Sequence, residues 1–90
     1  MGRTHDEQLV LAKQIEAAQT KVAVGAMYWH YKGRDKTYSV LGFGFLEAND
    51  ELCVIYQAQY DQRLTYVRPL ASWLEHVEWK GKTVPRFTKI

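Results

Sequence analysis

The chain has 90 residues, is 47% apolar and 13% aromatic, and carries a net charge of only +2. That length holds one small folded domain; it excludes a large two-lobed active site, and the composition excludes a disordered chain. No apolar run approaches the roughly 20 residues that cross a bilayer, and "MGRTHDEQLV" lacks a signal-peptide core, so a cytoplasmic protein without membrane contact is expected.

The first predicted element is a helix over about residues 4–20. Thr4-His5-Asp6-Glu7 is a capping-box pattern, in which the Thr4 hydroxyl satisfies an early backbone N–H and Glu7 reaches back. Leu11, Ile15, Ala18 and Val22 follow as one apolar stripe at helical period. Residues 1–21 therefore read as an N-terminal amphipathic helix, and residues 22–90 as a β domain.

From Val22 the period becomes two. "MYWHY" reads as a strand and "KGRDK" as a turn. Alternation puts Tyr28 and His30 on one face, and Trp29 and Tyr31 on the other. Tyr38 to Phe45 is the next strand, with Tyr38 and Val40 on one face and Ser39, Leu41, Phe43 and Phe45 on the other. Gly42 and Gly44 permit a bulge or a bend there. "EANDE" is a polar turn. Leu52 to Tyr60 gives the clearest strand, and Cys53 within it reads as a buried, inert thiol. "DQR" turns the chain, Leu64 to Arg68 forms a short strand, and Pro69 opens a helical turn over "PLASWLEHV". "EWKGKTV" closes as a hairpin around Lys80-Gly81, and Pro85 ends regular pairing. Short strands at near-regular spacing point to a small barrel or meander.

Charge falls in blocks: −1 over residues 1–20, +3 over 21–36, −4 over 37–62 and +4 over 63–90. If the fold joins the two basic blocks, it makes a face for an anionic partner. Enzymatic chemistry finds no support. His5, His30 and His76 stand too far apart for a metal motif, Ser39 and Ser72 lack a nucleophile context, and "LGFGF" is no phosphate loop. No cofactor, metal or catalytic residue is expected.

The remaining signal is aromatic plus basic. Tyr28, His30, Tyr31 and Tyr66 lie beside Lys32, Arg34, Arg68 and Arg86, and those eight are the candidate ligand-binding residues. Ring faces stack on planar ligands, and Arg and Lys meet phosphates. Arg68 and Arg86 each adjoin a proline that fixes the local backbone, which aims a guanidinium fork. An internal pairing of Arg68 with Glu51 or Glu75 is the structural alternative.

"YWHYKG", "YSVLG", "DELCVIYQAQY", "YVRPL" and "VPRF" occur here in an order that resembles a domain-of-unknown-function family of short bacterial and phage proteins. Its pattern is Y-x-H-Y-K-G, V-x-Y-x-x-x-Y, W-V-R-P-L and V-P-R-F. The matching residues are Tyr28, His30, Tyr31, Lys32, Gly33, Glu51, Tyr56, Tyr60, Val67, Arg68, Pro69, Val84, Pro85, Arg86 and Phe87. The resemblance spans about Gly25 to Phe87 and implies an SH3-like β-barrel of no established activity. Two departures stand out: Phe45-Leu46-Glu47 replaces a His-Ser-Glu stretch, and Tyr66 replaces a tryptophan. The N-terminal helix lies outside it and suggests assembly or a specialised partner.

The sequence thus leads to a mainly β, α+β protein: a small SH3-like barrel preceded by a helix. The expected function is non-enzymatic binding of a phosphate-bearing ligand, either nucleic acid or a small nucleotide such as a sequestered signalling nucleotide. The rival expectation is a protein-interaction or self-assembly module, in which the helix and aromatic surface dock a protein partner or a second copy.

Overall fold

The computed structural model of the protein describes residues 2–90. Helix α1, His5–Gln19, begins as the capping box dictates. The Glu7 amide donates to Thr4 Oγ1 and the Thr4 amide to Glu7 Oε1, each at 3.1 Å. The Thr4 amide, and after it the Thr4 side chain, hold the Glu7 carboxyl below the usual carboxylate range. The predicted stripe faces inward: Leu11 and Ile15 are half-buried, and Ala18 and Val22 are buried. Leu9 and Val10 remain exposed. Arg3 ties the helix start to the polar turn at residues 46–51 through ion pairs with Glu47 and Asp50, which push its pKa up.

Seven strands follow: β1 Met27–His30, β2 Gly33–Phe45, β3 Leu52–Ala58, β4 Thr65–Pro69, β5 His76–Trp79, β6 Lys82–Pro85 and β7 Phe87–Lys89. A short helix, α2 Leu70–Trp73, starts directly after Pro69, as that residue's position predicts. Strands β4-β3-β2-β1-β7 form one antiparallel sheet and β5-β6 a separate hairpin. The hairpin turns at Lys80-Gly81, with φ of 53° and 81°. Two consecutive left-handed residues match the right-handed strand twist, and glycine takes the second at no steric cost.

The mainly β, α+β class with a leading helix is therefore observed, but the expected barrel closure is not. Both sheets are open: β4 and β7 are the edges of the larger one, and neither pairs with β5 or β6. Pro69 and Pro85 end β4 and β6 where a continuing ladder would need an N–H donor. Helix α2 fills the gap instead. Its buried Trp73 stacks on Phe87 of β7, with ring centroids 3.8 Å apart and planes at 9°. Val22, Tyr28, Val40, Val54, Tyr56, Trp73 and Phe87 make the core.

Three local expectations change. The "KGRDK" turn is only two residues long, because His30 already pairs with Gly33. Pairing then jumps to Trp29 with Thr37, leaving Arg34, Asp35 and Lys36 bulged from β2. A second irregularity at Leu41, between the Val40–Tyr56 and Gly42–Ile55 pairs, slips the alternation by one residue. Phe43 therefore packs against the core beside Val40 rather than opposite it, and Leu41 is left exposed. Pro85 does not end all pairing, since β7 follows and pairs with β1. Cys53 is buried as expected, and burial pushes its thiol pKa up, with Glu51 adding to the effect. Among the described residues no helix is long and apolar enough to cross a membrane.

Candidate functional site

The inner surface of the sheet opens between β2 and β4 into a cavity of about 430 Å³. Its aromatic wall is Tyr38, Tyr56, Tyr66 and Phe87. Tyr56 crosses Tyr38 edge-on at 5.5 Å and lies tilted against Tyr66 at 5.8 Å, which leaves Tyr66 41% exposed at the rim. The polar groups are Lys32, Lys36, Arg68 and His30 against a single carboxylate, Asp35. Lys32 and Lys36 come from one basic block and Arg68 from the other, so the fold does join the blocks here.

Arg68 is the most constrained of these cations. Its guanidinium lies over the Phe87 ring, 5.7 Å from the centroid. Nε donates to the Tyr56 hydroxyl at 3.3 Å and Nη1 to Ser72 Oγ at 2.9 Å. Both acceptors are neutral, and among the described residues no carboxylate lies within ion-pair distance of Arg68. A guanidinium has five N–H donors in a planar fork; two are used here, and three have no protein acceptor among the described residues. The ion pair with Glu51 or Glu75 is not formed.

His30 records the resulting field. Its Nδ1 accepts the Lys32 amide at 3.2 Å, so the neutral ring carries its proton on Nε2. Burial lowers the imidazole pKa, and the positive charges of Arg68, Lys32 and Arg86 lower it further. Across the cavity the Tyr38 and Tyr60 hydroxyls share a 2.5 Å hydrogen bond. Burial and that bond push the Tyr38 phenol pKa upward, so it stays protonated. Lys36 Nζ sits 4.7 Å from the centre of the Tyr60 ring.

Of the eight sequence candidates, His30, Lys32, Tyr66 and Arg68 line this cavity. Tyr31 and Arg34 lie across the β1–β2 turn on a second cleft, which Lys32 also borders. This is the split that strand alternation predicted for "YWHY". Tyr28 is a core residue, 6% exposed, with its hydroxyl accepting the Ala23 amide at 2.9 Å. Arg86 lines neither cavity. Its Nε donates to the Ser72 carbonyl at 3.0 Å and its Nη2 pairs with Glu75 at 3.6 Å, which pins the β6–β7 corner to α2. Sequence reasoning missed Lys36, Tyr38, Tyr56 and Phe87. Tyr56 and Phe87 already stood among the residues that match the family pattern, but that they adjoin Arg68 is a relation only the folded register reveals. The departing stretch Phe45-Leu46-Glu47 borders neither cavity.

Together these features define a small α+β domain whose open sheet presents an aromatic, net-basic cavity beside its first hairpin. Over residues 26–89 the chain matches the family model described as protein of unknown function (DUF1653), and it belongs to that family. Helix α1 lies before the matched span. The crystal structure of a protein of the same family from Bordetella bronchiseptica is similar, with a TM-score of 0.67 and 29% identity over 78% of this chain and 90% of that one. No curated protein matches this chain.

Proposed function

We propose that this protein is a non-enzymatic binding module for a phosphate-bearing ligand with a planar ring, that is, a nucleotide unit. The observation that carries the reading is Arg68: a guanidinium held over Phe87 by two neutral hydroxyls, with three N–H donors free and no carboxylate to neutralise it among the described residues. Such a fork matches a phosphate bidentately, and holding it in advance reduces the entropy lost on binding. Lys32 and Lys36 add charge, the His30 Nε2–H adds a donor, and the half-exposed Tyr66 offers a ring face for stacking. A cavity of about 430 Å³ falls within the usual range for small-molecule sites.

Calorimetric titration of the full chain with nucleoside monophosphates, the parent nucleosides and inorganic phosphate tests this. Monophosphates should bind more tightly than either fragment. Arg68→Met keeps much of the aliphatic packing but loses the charged hydrogen bonds, and should weaken monophosphate binding by about 10–100-fold. Nucleosides binding as tightly as monophosphates, or an indifferent Arg68→Met, would overturn the assignment. Self-assembly through the exposed Leu9 and Val10 is the competing role for α1, and native mass spectrometry of the same samples reports copy number alongside bound ligand.

A further inference from the structure

The second cleft, about 570 Å³, opens on the other side of the β1–β2 turn, between the five-stranded sheet and the β5–β6 hairpin. Trp29, Tyr31 and Trp79 give it three ring walls, with Lys32, Arg34 and Lys80 around them and no carboxylate among the described residues that line it. Tyr31 meets Trp79 edge-on at 5.2 Å. Arg34 lies over Trp29 at 4.7 Å and Lys80 over Trp79 at 5.5 Å, so two of its three cations are already seated on indole faces. Lys32 and Gly33 border both clefts. The His30 ring lines the first cleft and the Tyr31 ring the second, and with centroids 4.4 Å apart the pair forms a wall between them.

One nucleotide can occupy only one side of that wall. We infer that the ligand is a single-stranded nucleic acid that straddles the β1–β2 turn. One nucleotide lies in the Arg68 cavity with its phosphate on the Arg68 fork, the next backbone phosphate passes over Lys32, and a following base enters the Trp29–Trp79 cleft. The inference rests on the phosphate-plus-ring reading of the first cavity and extends it to the polymer. Stacking walls that alternate with cations along a path suit a strand whose bases are splayed out, since every base has a π-face and every linkage a negative charge. A duplex keeps those faces stacked inside and presents the clefts with little but backbone. An acidic peptide satisfies the cations but brings no planar groups for the rings.

Intrinsic tryptophan fluorescence reports on the second cleft through Trp29 and Trp79, once the signal of Trp73, which stacks on Phe87 of the first cavity, is removed with Trp73→Phe. The full chain is titrated with mono-, di- and tetranucleotides in DNA and RNA form, a duplex of the tetranucleotide sequence, and poly-glutamate. Affinity should rise about tenfold or more from mono- to tetranucleotide, the stacking free energy of one added base. Fluorescence should be quenched, and the single strand should outbind both the duplex and poly-glutamate. The DNA and RNA arms identify the polymer. Trp79→Ala should erase the length increment while monophosphate binding persists. Arg34→Glu with Lys80→Glu, both at exposed positions, should do the same without touching the core. Monophosphate binding with no gain from length overturns the strand and leaves the nucleotide site standing. Oligonucleotide binding that depends on Trp79 but not on Arg68 overturns the nucleotide site and the straddling path with it. Equal binding of the duplex or of poly-glutamate removes the single-strand assignment.

Discussion

His30 couples the cavity to proton concentration, and the sign of the coupling follows from its neighbours. The ring is partly buried beside Arg68 and Lys32, so its folded pKa lies below the ordinary imidazole value of 6.5. As pH falls below that value the unfolded chain takes up the proton first, and stability declines until the folded ring also titrates. Above the ordinary value this contribution is fully present. Urea unfolding from pH 8 downward should therefore show a loss of stability for the wild type that His30→Gln lacks. A parallel decline in both proteins would remove His30 as the cause. A bound phosphate reverses the field, because an anion beside the ring favours the imidazolium. A monophosphate takes up its own second proton near pH 6, so the probe is a phosphodiester dinucleotide of constant charge: its affinity should increase as pH falls through the imidazole range, by at most about tenfold per pH unit for one proton. Binding that is flat with pH would place the phosphate away from His30.

Helix α1 tests how far local chemistry alone reaches. Its start was legible because a capping box satisfies donors within four residues of chain, and the structure forms both bonds. Thr4→Ala removes one of them and should cost about 1 kcal/mol of helix stability. Hydrogen exchange should quicken over the first turn, while monophosphate affinity stays unchanged; protection unaltered at residues 5–8 would mean that Arg3 and its partners hold the end by themselves. Strands β1 and β3 and the Lys80-Gly81 hairpin were legible for the same local reason, period-two alternation and turn chemistry. What alternation could not supply is where it slips. The Leu41 irregularity returns Phe43 to the core, and the bulge at 34–36 puts Arg34 on one cleft and Lys36 on the other. Both are set by the partner strand's register, which is long-range. Strand β7, three residues long and starting two residues after Pro85, pairs along the open edge of β1. The candidate site divides on the same line: the opposed faces of "YWHY" were readable, whereas the roles of Arg68 and Arg86 depend on α2, which supplies Ser72, and on Glu75 just after it.

The molecule is two open sheets held together without a shared strand, and that arrangement decides what Arg86 does. The Arg86 amide donates to the Glu75 carbonyl at 2.9 Å and its carbonyl accepts the Tyr31 amide at 3.0 Å. Its Nε bonds the Ser72 carbonyl, so side chain and backbone together fix the base of the β5–β6 hairpin against β1. The ion pair with the largely exposed Glu75 adds little. Arg86→Ala keeps the backbone bonds and loses the side-chain ones, which should cost about 1–2 kcal/mol and lower Tm by roughly 5–15 °C in a domain of this size. Trp79 rides on that hairpin while the Arg68 cavity is built from the larger sheet. A loosened hairpin should therefore abolish the gain in affinity from mono- to tetranucleotide and leave monophosphate binding largely intact. The opposite pattern, an unchanged Tm with monophosphate affinity lost, would make Arg86 a ligand contact after all. Arg86→Lys separates the two roles further: it restores a charge near the cavity but not the Nε bond to Ser72, so Tm should stay low if the corner is what Arg86 secures.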